Sequence, residues 1–563
     1  MRNFCYCVGG TGARVAEVAA HLCAMNLVGE QDITFIVVDK DATCGGTDQA
    51  RKVITSVANL ASTDGATGLK RSTVVDPGAT KQFCKSNLHI ENWDFTEALA
   101  QVAPQDVDGA ASLEQSLSST RTDAVLFDAF YSDAEQQRDT SEGFYGHPSI
   151  GAAIFKYMVK NGGWDNAARS YENDIAYPVK SYLSANPNET AKVFIIGSIF
   201  GGTGASIFSN LATHIRNSAP DNMKDKIFIS GVLLLPYFTI AARNGALINP
   251  TEFYEKSRVA LNQYASDPYL IKNGTNPQGT FDSLYVCGQE PLHTTSEVYD
   301  EGGAGQVNHF NFVDLAAAKA MTEFFAANTV DELKTITSGK IYEYRFSATQ
   351  DGELPFVNLY NTEGMQKEMV AMLTFCGFIL TRVYGQLTLE GNDPDNVFMV
   401  QRLYGRDATE RRGLKRVPTQ EYADKIKPAF DKVATLVYGY CCSYIRFIKD
   451  IAKNGYDFSG FGINEHGNKY KFFNPGYIEA LETVCTSFAQ ENLQAAINGI
   501  NILLDRKDYI PEFNAGITPR DIDDHLLSVF DGKAAMYARN DVAPELRIGD
   551  YIHEAFKFCY SRA

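Results

Sequence analysis

The pentapeptide Gly-Gly-Thr-Gly-Ala occurs twice in this chain, as Gly9, Gly10, Thr11, Gly12 and Ala13, and again as Gly201, Gly202, Thr203, Gly204 and Ala205. Glycine lets a backbone turn tightly and lets it approach a ligand with no Cβ in the way. The N–H groups of such a loop, with the N-terminus of a following helix, present donors and partial positive charge to an anion. Thr11, Thr203 and Ser206 add hydroxyl donors. A third glycine-rich run spans residues 143–151 and contains Gly146, His147 and Pro148. The chemistry these residue types support is polyphosphate binding, with two loops closing on one polyphosphate from opposite sides. For one copy alone, a tight strand-to-helix turn explains the glycines equally well.

The elements around the loops must position them. Apolar runs at 4–8 and 193–196 read as buried strands, and each glycine loop then opens a helix, expected at 13–27 and 205–216. A second strand at 33–38 ends at Asp39, followed by Lys40 and Asp41. Pro148 suits the first turn of a helix at 149–160. Strands at 227–235 and 283–287 flank a helix at 251–264. The strongest helical pattern runs over 307–327, with Phe310, Val313, Ala317, Ala320, Phe324 and Ala327 in register. Residues 42–140 read as a long insertion, and order is unclear from about 328 to 355. Helices are expected at 365–387, 420–454, 477–504 and 521–530. Strands alternating with helices through residue 330 imply a mainly parallel sheet covered on both faces.

The 563 residues leave room for roughly three to four domain-sized units. Hydrophobic residues at 45% and charged residues at 21% are those of a globular protein with sizeable cores. A net charge of −17 argues against general nucleic-acid binding. The basic stretch of Arg402, Arg406, Arg411, Arg412, Lys415 and Arg416 is interrupted by Asp407 and Glu410, as in a solvated face. No apolar run approaches the roughly 18–20 residues of a transmembrane segment, and no secretory h-region is expected at the start. Eleven scattered cysteines fit reduced thiols and a cytoplasmic location. Cys5 and Cys7 share one strand face, where packing against a helix accounts for them.

The order of the loops resembles the tubulin/FtsZ superfamily, closest to its divergent bacterial tubulin-like branch, over roughly residues 1–330. Gly9 to Arg14 look like its first phosphate loop. Gly201, Gly202, Thr203, Gly204, Ala205 and Ser206 look like its signature loop with the leading glycines reduced by one. The resemblance implies an α/β fold: a tubulin/FtsZ-like GTPase domain with a mainly parallel sheet and long central helix, then a divergent second domain and a helix-rich C-terminal tail. The implied divisions are 1–305 for nucleotide binding, 306–328 for the central helix, 329–455 for a second, activation-like domain and 456–563 for the helical tail. GTP/GDP and Mg2+ are the implied ligands. Asp39 and Asp41 fall where the family has an acidic loop near the magnesium, and Gly146, His147 and Pro148 where it contacts the γ-phosphate. On the central helix Phe310 and Asp314 have the i, i+4 relation of its base-stacking aromatic and base-reading carboxylate; Asn308 and Asn311 compete for the role, and Phe310 as core with Asp314 as a satisfied polar residue is an equal alternative. For the ribose the resemblance offers Glu252 or Glu255, and acidity at a helix start explains both equally well.

Members of this superfamily assemble head to tail and complete their active site with acidic residues from the neighbouring subunit. That N-x-D-x-x-D pattern is absent, and Asp331, Glu332, Asn358, Asn361 and Glu363 are the nearest candidates. The resemblance therefore implies self-association into filaments with slow GTP hydrolysis. A non-polymerising nucleotide-binding partner module of a membrane-remodelling or defence system, with a membrane-associated protein partner, is a second reading. An NAD-dependent Rossmann enzyme is a third, because Gly10 to Val15 approximate G-x-G-x-x-G and Asp39 ends the next strand. That reading gives residues 143–151 and 201–206 no role.

Overall fold

The computed structural model describes residues 1–41, 43–61, 69, 71–72, 83–95, 98, 129–137, 140, 143–144, 146–161, 174–219, 221–239, 250–290, 293–294, 303–337, 339–347, 363–404, 417, 419–453, 475–505, 517–531 and 533–562. The chain divides into two compact units. The first comprises Met1–Ala20, Gln31–Ile54 and Leu88–Ser347, and the second His21–Glu30, Thr55–Asn87 and Ala348–Ala563.

The first unit is built on a seven-stranded sheet. Its strands are β1 (Arg2–Val8), β2 (Asp32–Val38), β3 (Asn87–Asn92), β4 (Ala191–Ser198), β5 (Ile227–Leu234), β7 (Ser283–Glu290) and β9 (Lys340–Ser347), in the order β3-β2-β1-β4-β5-β7-β9. Two short strands, β6 (Phe238–Thr239) and β8 (His293–Thr294), pair separately. The pairings of β1 with β2 and β4, of β4 with β5, and of β7 with β5 and β9 are all parallel. Besides two short helices at Asp133–Gln136 and Asp221–Lys224, the helices are α1 (Gly9–Ala24), α2 (Gly45–Ala61), α3 (Pro148–Asn161), α4 (Tyr177–Ala185), α5 (Gly202–Ser218), α6 (Pro250–Ser266), α7 (Phe312–Ala326) and α8 (Val330–Thr337), the ends of α1 and α2 falling in the second unit. The strands β1, β4 and β5 are almost wholly buried, which is why they read as continuous apolar runs.

The two faces of the sheet are packed differently. Cys5, Cys7 and Phe194 face α7: the Cys5 Sγ lies 3.5 Å from Met321 Sδ, and Phe194 packs on Phe324 and Phe325. On the opposite face Phe208 of α5 lies against Gly197 and Gly231, where a Cβ would come within 3.0 Å and 2.9 Å of its ring. The fold class read from the sequence is the one observed. Two local expectations are corrected. The central helix begins at Phe312 rather than 307, because Asn311 caps it: the Asn311 side chain accepts from Val313 N, and the Asp314 carboxylate accepts from Asn311 N. The segment of unclear order after it contains α8 and the edge strand β9.

The second unit is helical where described. The helices α9 (Glu363–Phe378) and α10 (Tyr384–Leu389) are joined through a π-helical turn at Ile379–Val383. There follow α11 (Phe398–Tyr404), α12 (Lys427–Lys453), α13 (Pro475–Ala489), α14 (Leu493–Asp505), α15 (Pro519–Phe530), α16 (Lys533–Arg539) and α17 (Pro544–Arg562). The expected helix at 477–504 is two helices, separated where Glu491 takes a positive φ of 58°. The stretch Glu368–Leu389 is long and apolar enough to cross a membrane by length and composition, and 89% of its 18-residue apolar window is buried, as in a core helix. Of the basic stretch near 402–416, residues 405–416 lie outside the described residues.

Lys192 ties α7 to the sheet. Its Nζ donates to the carbonyls of Phe325 at 2.7 Å and Ala327 at 2.8 Å, where the helix end lacks internal donors. Burial lowers its pKa from 10.5 to about 8, with Glu332 acting the other way. Between those values the unfolded chain holds a proton that the folded chain has released, so this group adds stability as pH rises through the window. Lys192→Met leaves both carbonyls unpaired and removes the titration. It is expected to cost about 1–3 kcal/mol at pH 7 and to flatten the dependence of the urea midpoint on pH above 8; an unchanged profile contradicts this role.

Candidate functional site

Both glycine loops sit at the C-terminal ends of adjacent parallel strands, β1 and β4, and both are the first turns of helices. They touch. A Cβ on Gly9 would lie 3.1 Å from Gly204 N and 3.4 Å from Thr203 Cβ, and Gly9 has a φ of +72°. Gly12 and Gly204 are pressed onto strand backbone: a Cβ would come within 2.8 Å of Cys7 C and Ile196 O at the first, and within 2.9 Å of Ser198 N at the second. The third loop closes on the second. A Cβ on Gly202 would meet Phe144 Cβ at 3.0 Å and Gly146 N at 3.2 Å, and Gly151 of α3 lies against Ser206 and the Phe144 ring. Gly10, Thr11, Gly146, His147, Pro148, Gly201, Gly202 and Ala205 remain partly exposed, whereas Gly9, Gly12, Ala13, Thr203, Gly204 and Ser206 are buried.

Asp39 lies between the loops. Its Oδ1 accepts from Thr203 Oγ1 at 3.0 Å and its Oδ2 from Thr47 Oγ1 at 3.1 Å. Burial raises its pKa to about 6, the hydroxyl of Thr203 opposes this, and the Asp41 charge adds to it. Among the described residues Asp39 has no basic partner, so a cation arriving with a ligand would meet an uncompensated carboxylate. Asp41 is committed elsewhere: Oδ1 accepts from Thr43 N (2.9 Å) and Thr43 Oγ1 (2.8 Å), and Oδ2 from Gly303 N (2.7 Å). No group of three or more His, Cys, Asp or Glu among the described residues forms a metal cage. Magnesium characteristically takes only one or two carboxylates and completes its shell with phosphates and water, and Asp39 fits that use.

The sequence reading overlooked a further Gly-Gly-Thr, at Gly45, Gly46 and Thr47, which opens α2. Gly45 N donates to Gly303 O at 3.2 Å and Gly46 N to Gln306 O at 2.8 Å. Its donors thus hold the segment 303–307, which passes beside Gly10: the Gln306 Oε1 would lie 3.7 Å from a Gly10 Cβ. The tripeptide was visible in the sequence, but six residues of acidic loop separate it from its strand. Lys256 was also missed. It lies in α6, and its Nζ donates to Gly146 O at 3.2 Å, bringing a cation to the third loop.

Arg14 is engaged with Tyr237 and the start of α7. Its Nε donates to Asp314 Oδ2 at 2.8 Å and its Nη2 to Asp314 Oδ1 at 3.3 Å and to the Tyr237 hydroxyl. Tyr237 in turn donates to Asp314 Oδ1 at 3.2 Å. Phe310 precedes α7 and is 1% exposed, so the expected i, i+4 helical face with Asp314 does not form. Asn308 is half-buried and Asn311 is the helix cap. The hydroxyl of Ser206 donates to Gly202 O at 2.5 Å and that of Thr203 to Asp39, which leaves Thr11 as the half-exposed hydroxyl of the three. Glu332 caps α8, accepting from Asn328 N at 2.8 Å and Thr329 N at 3.2 Å, while Asp331 is exposed. The side chains of Glu252 and Glu363, and residues Asn358 and Asn361, lie outside the described residues.

A tubulin-like family model matches residues 149–266, the span from α3 through the second glycine loop to the end of α6. No curated protein and no solved structure matches the chain.

The link between the second loop and Asp39 is testable without a ligand. Thr203→Val keeps the shape and removes the 3.0 Å bond, leaving Asp39 with one donor fewer. Urea unfolding should show a loss of about 1–3 kcal/mol; a loss below about 0.5 kcal/mol contradicts a coupling of Asp39 to the loop.

Proposed function

From a second glycine loop set in a tubulin-like segment, we propose that this chain binds a magnesium nucleoside triphosphate, GTP by resemblance, and assembles head to tail in response. The observation that carries the reading is the contact of Gly9 with Gly204, which brings two helix N-termini to one point. Each terminus presents unpaired N–H groups and a partial positive charge. Their convergence is unfavourable unless an anion sits there, and a polyphosphate has the charge and the oxygens to meet both.

Gly10, Thr11, Gly201 and Gly202 supply the accessible edge of this cradle, and Lys256 with Gly146 and His147 closes it on the third-loop side. Asp39 is the carboxylate that would hold the magnesium, whose chemistry when bound is to neutralise phosphate charge. The inward bonds of Asp39 to Thr203 and Thr47 speak against a ribose-binding role in a dinucleotide enzyme.

Hydrolysis is the less developed function of the site. Phosphoryl transfer depends on positioning a water and stabilising charge. Glu332 is engaged in capping α8, so Asp331 is the better placed to reach a neighbouring subunit. A head-to-tail contact of this kind is heterologous and propagates as an open filament unless it closes.

Sedimentation and negative-stain microscopy should show polymer with GTP or a slowly hydrolysed analogue and its loss in GDP. Asp331→Ala should retain assembly and slow phosphate release at least tenfold, about 1.4 kcal/mol in the barrier. A monomer in all three nucleotide states contradicts assembly and leaves a nucleotide-binding partner module; an unaffected rate in Asp331→Ala removes that residue from catalysis.

A further inference from the structure

Cysteines gather where four helices of the second unit meet: Cys376 on α9, Cys441 and Cys442 on α12, Cys485 on α13 and Cys559 on α17. Cys376 is hydrogen-bonded to Cys441 and feels the charge of the other three. Cys376, Cys441 and Cys559 are fully buried, whereas Cys442 and Cys485 are half-buried. Among the described residues no three are disposed to hold a metal. Two thiols in contact are enough for a different chemistry.

Contacts on either side of Cys442 and Cys485 fix α12 against α13. One turn before Cys442, the Tyr438 hydroxyl donates to the Cys485 carbonyl at 3.1 Å, and the Tyr438 ring meets Phe488 edge-on at 6.2 Å. Two turns after Cys442, Lys449 pairs with Glu482. Residues 438, 442 and 449 share one face of α12, and 482, 485 and 488 one face of α13. Advancing along one helix retreats along the other, so Cys442 and Cys485 form the rung between Tyr438–Phe488 and Lys449–Glu482. The two thiols are hydrogen-bonded to each other. Tyr438 is held in turn by Tyr384 of α10, stacked on it at 3.9 Å.

We propose that Cys442 and Cys485 are a reversible redox pair, which a hydroperoxide converts to a disulfide that staples α12 to α13. The hydrogen bond to Cys442, with burial, pushes the Cys485 thiol well above its ordinary range, which makes Cys485 the resolving partner. The Cys442 thiolate attacks a peroxide oxygen. The O–O bond breaks, the leaving oxygen takes up a proton, and Cys442 becomes a sulfenic acid; from hydrogen peroxide the product released is water. The Cys485 sulfur then attacks the sulfenic sulfur, gives up its proton and expels the hydroxyl as a second water. Two electrons and two protons pass from the thiols to the peroxide. Disulfides demand sulfurs already brought together by their backbones, and the flanking contacts supply that here. Cys376 and Cys441 also share a hydrogen bond, but both lie wholly inside the core, out of an oxidant's reach.

The test treats the full chain with hydrogen peroxide at about pH 9, where more thiol is ionised. The chain is then denatured, its thiols are titrated and its unreduced peptides are mapped by mass spectrometry. The expected result is a loss of two of the eleven thiols, one cross-link joining the peptides of Cys442 and Cys485, and recovery of both thiols in dithiothreitol. Oxidation should also raise the thermal midpoint of the parent and leave that of Cys485→Ser unchanged. Cys442→Ser should form no cross-link, and Cys442→Ala supplies the comparison should serine not be accommodated. Survival of all eleven thiols, a cross-link to a different cysteine, a loss that dithiothreitol does not reverse, or an equal rise of midpoint in Cys485→Ser overturns the proposal.

Discussion

Two helix N-termini meeting at Gly9 and Gly204 set the terms for the rest of the first unit. The helices α1 and α5 follow neighbouring parallel strands, so their positive ends lie side by side at one edge of the sheet. Each end carries about half an elementary charge. Bringing them into van der Waals contact requires residues without side chains and, at Gly9, a backbone with φ of +72°. It also requires negative charge nearby. Asp39 supplies part of that charge from the end of β2, held by a threonine from each of two helices, Thr203 and Thr47. Burial and the neighbouring Asp41 charge raise its pKa to about 6, so the carboxylate is held charged at neutral pH less readily than usual, and added positive charge would favour it. A magnesium nucleotide brings a cation for Asp39 and phosphates for the helix ends in one ligand.

Much of this arrangement was legible because the glycine loops are contiguous with the elements they join. A buried parallel strand is an apolar run, and Gly-Gly-Thr-Gly directly after it leaves little else for the backbone to do. The contacts between loops were not legible, because they depend on which strands are neighbours; the apposition of β1 with β4 is separated by more than 180 residues of chain. The start of the central helix was misplaced for a local reason. Phe310 is buried and apolar and so continues the helical pattern, yet the capping pair Asn311 and Asp314 opens the helix at Phe312 and residues 303–307 form a turn against the Gly-Gly-Thr of α2. The final helix, Pro544–Arg562, falls in the expected helical tail but had no range of its own: Glu545, Arg547, Asp550 and His553 interrupt its apolar pattern, although Arg547, Asp550 and His553 are buried and hydrogen-bonded.

Arg14 and Asp314 are bonded to each other in the first unit. The family resemblance implied a phosphate loop for one and a base edge for the other, with a satisfied core residue as the equal alternative for Asp314. Three hundred residues apart, they neutralise each other inside the unit, with Tyr237 bonded to both. Tyr237 also packs on Phe238 and on Phe200, just before the second glycine loop. Tyr237 thus connects the Arg14–Asp314 pair to Phe200, at the start of the second loop.

The central claim is that the meeting of the two glycine loops is a polyphosphate site. The most direct measurement is to purify the full chain in magnesium without added nucleotide, denature it, and identify what is released by ion-exchange chromatography and mass spectrometry. The account predicts a purine nucleoside di- or triphosphate at a substantial fraction of one per chain, lost when Gly10 is changed to Ala, a substitution whose Cβ meets no atom closer than 3.7 Å and which leaves the fold intact. Release of a dinucleotide, or the same nucleotide yield from Gly10→Ala as from the parent, would contradict it.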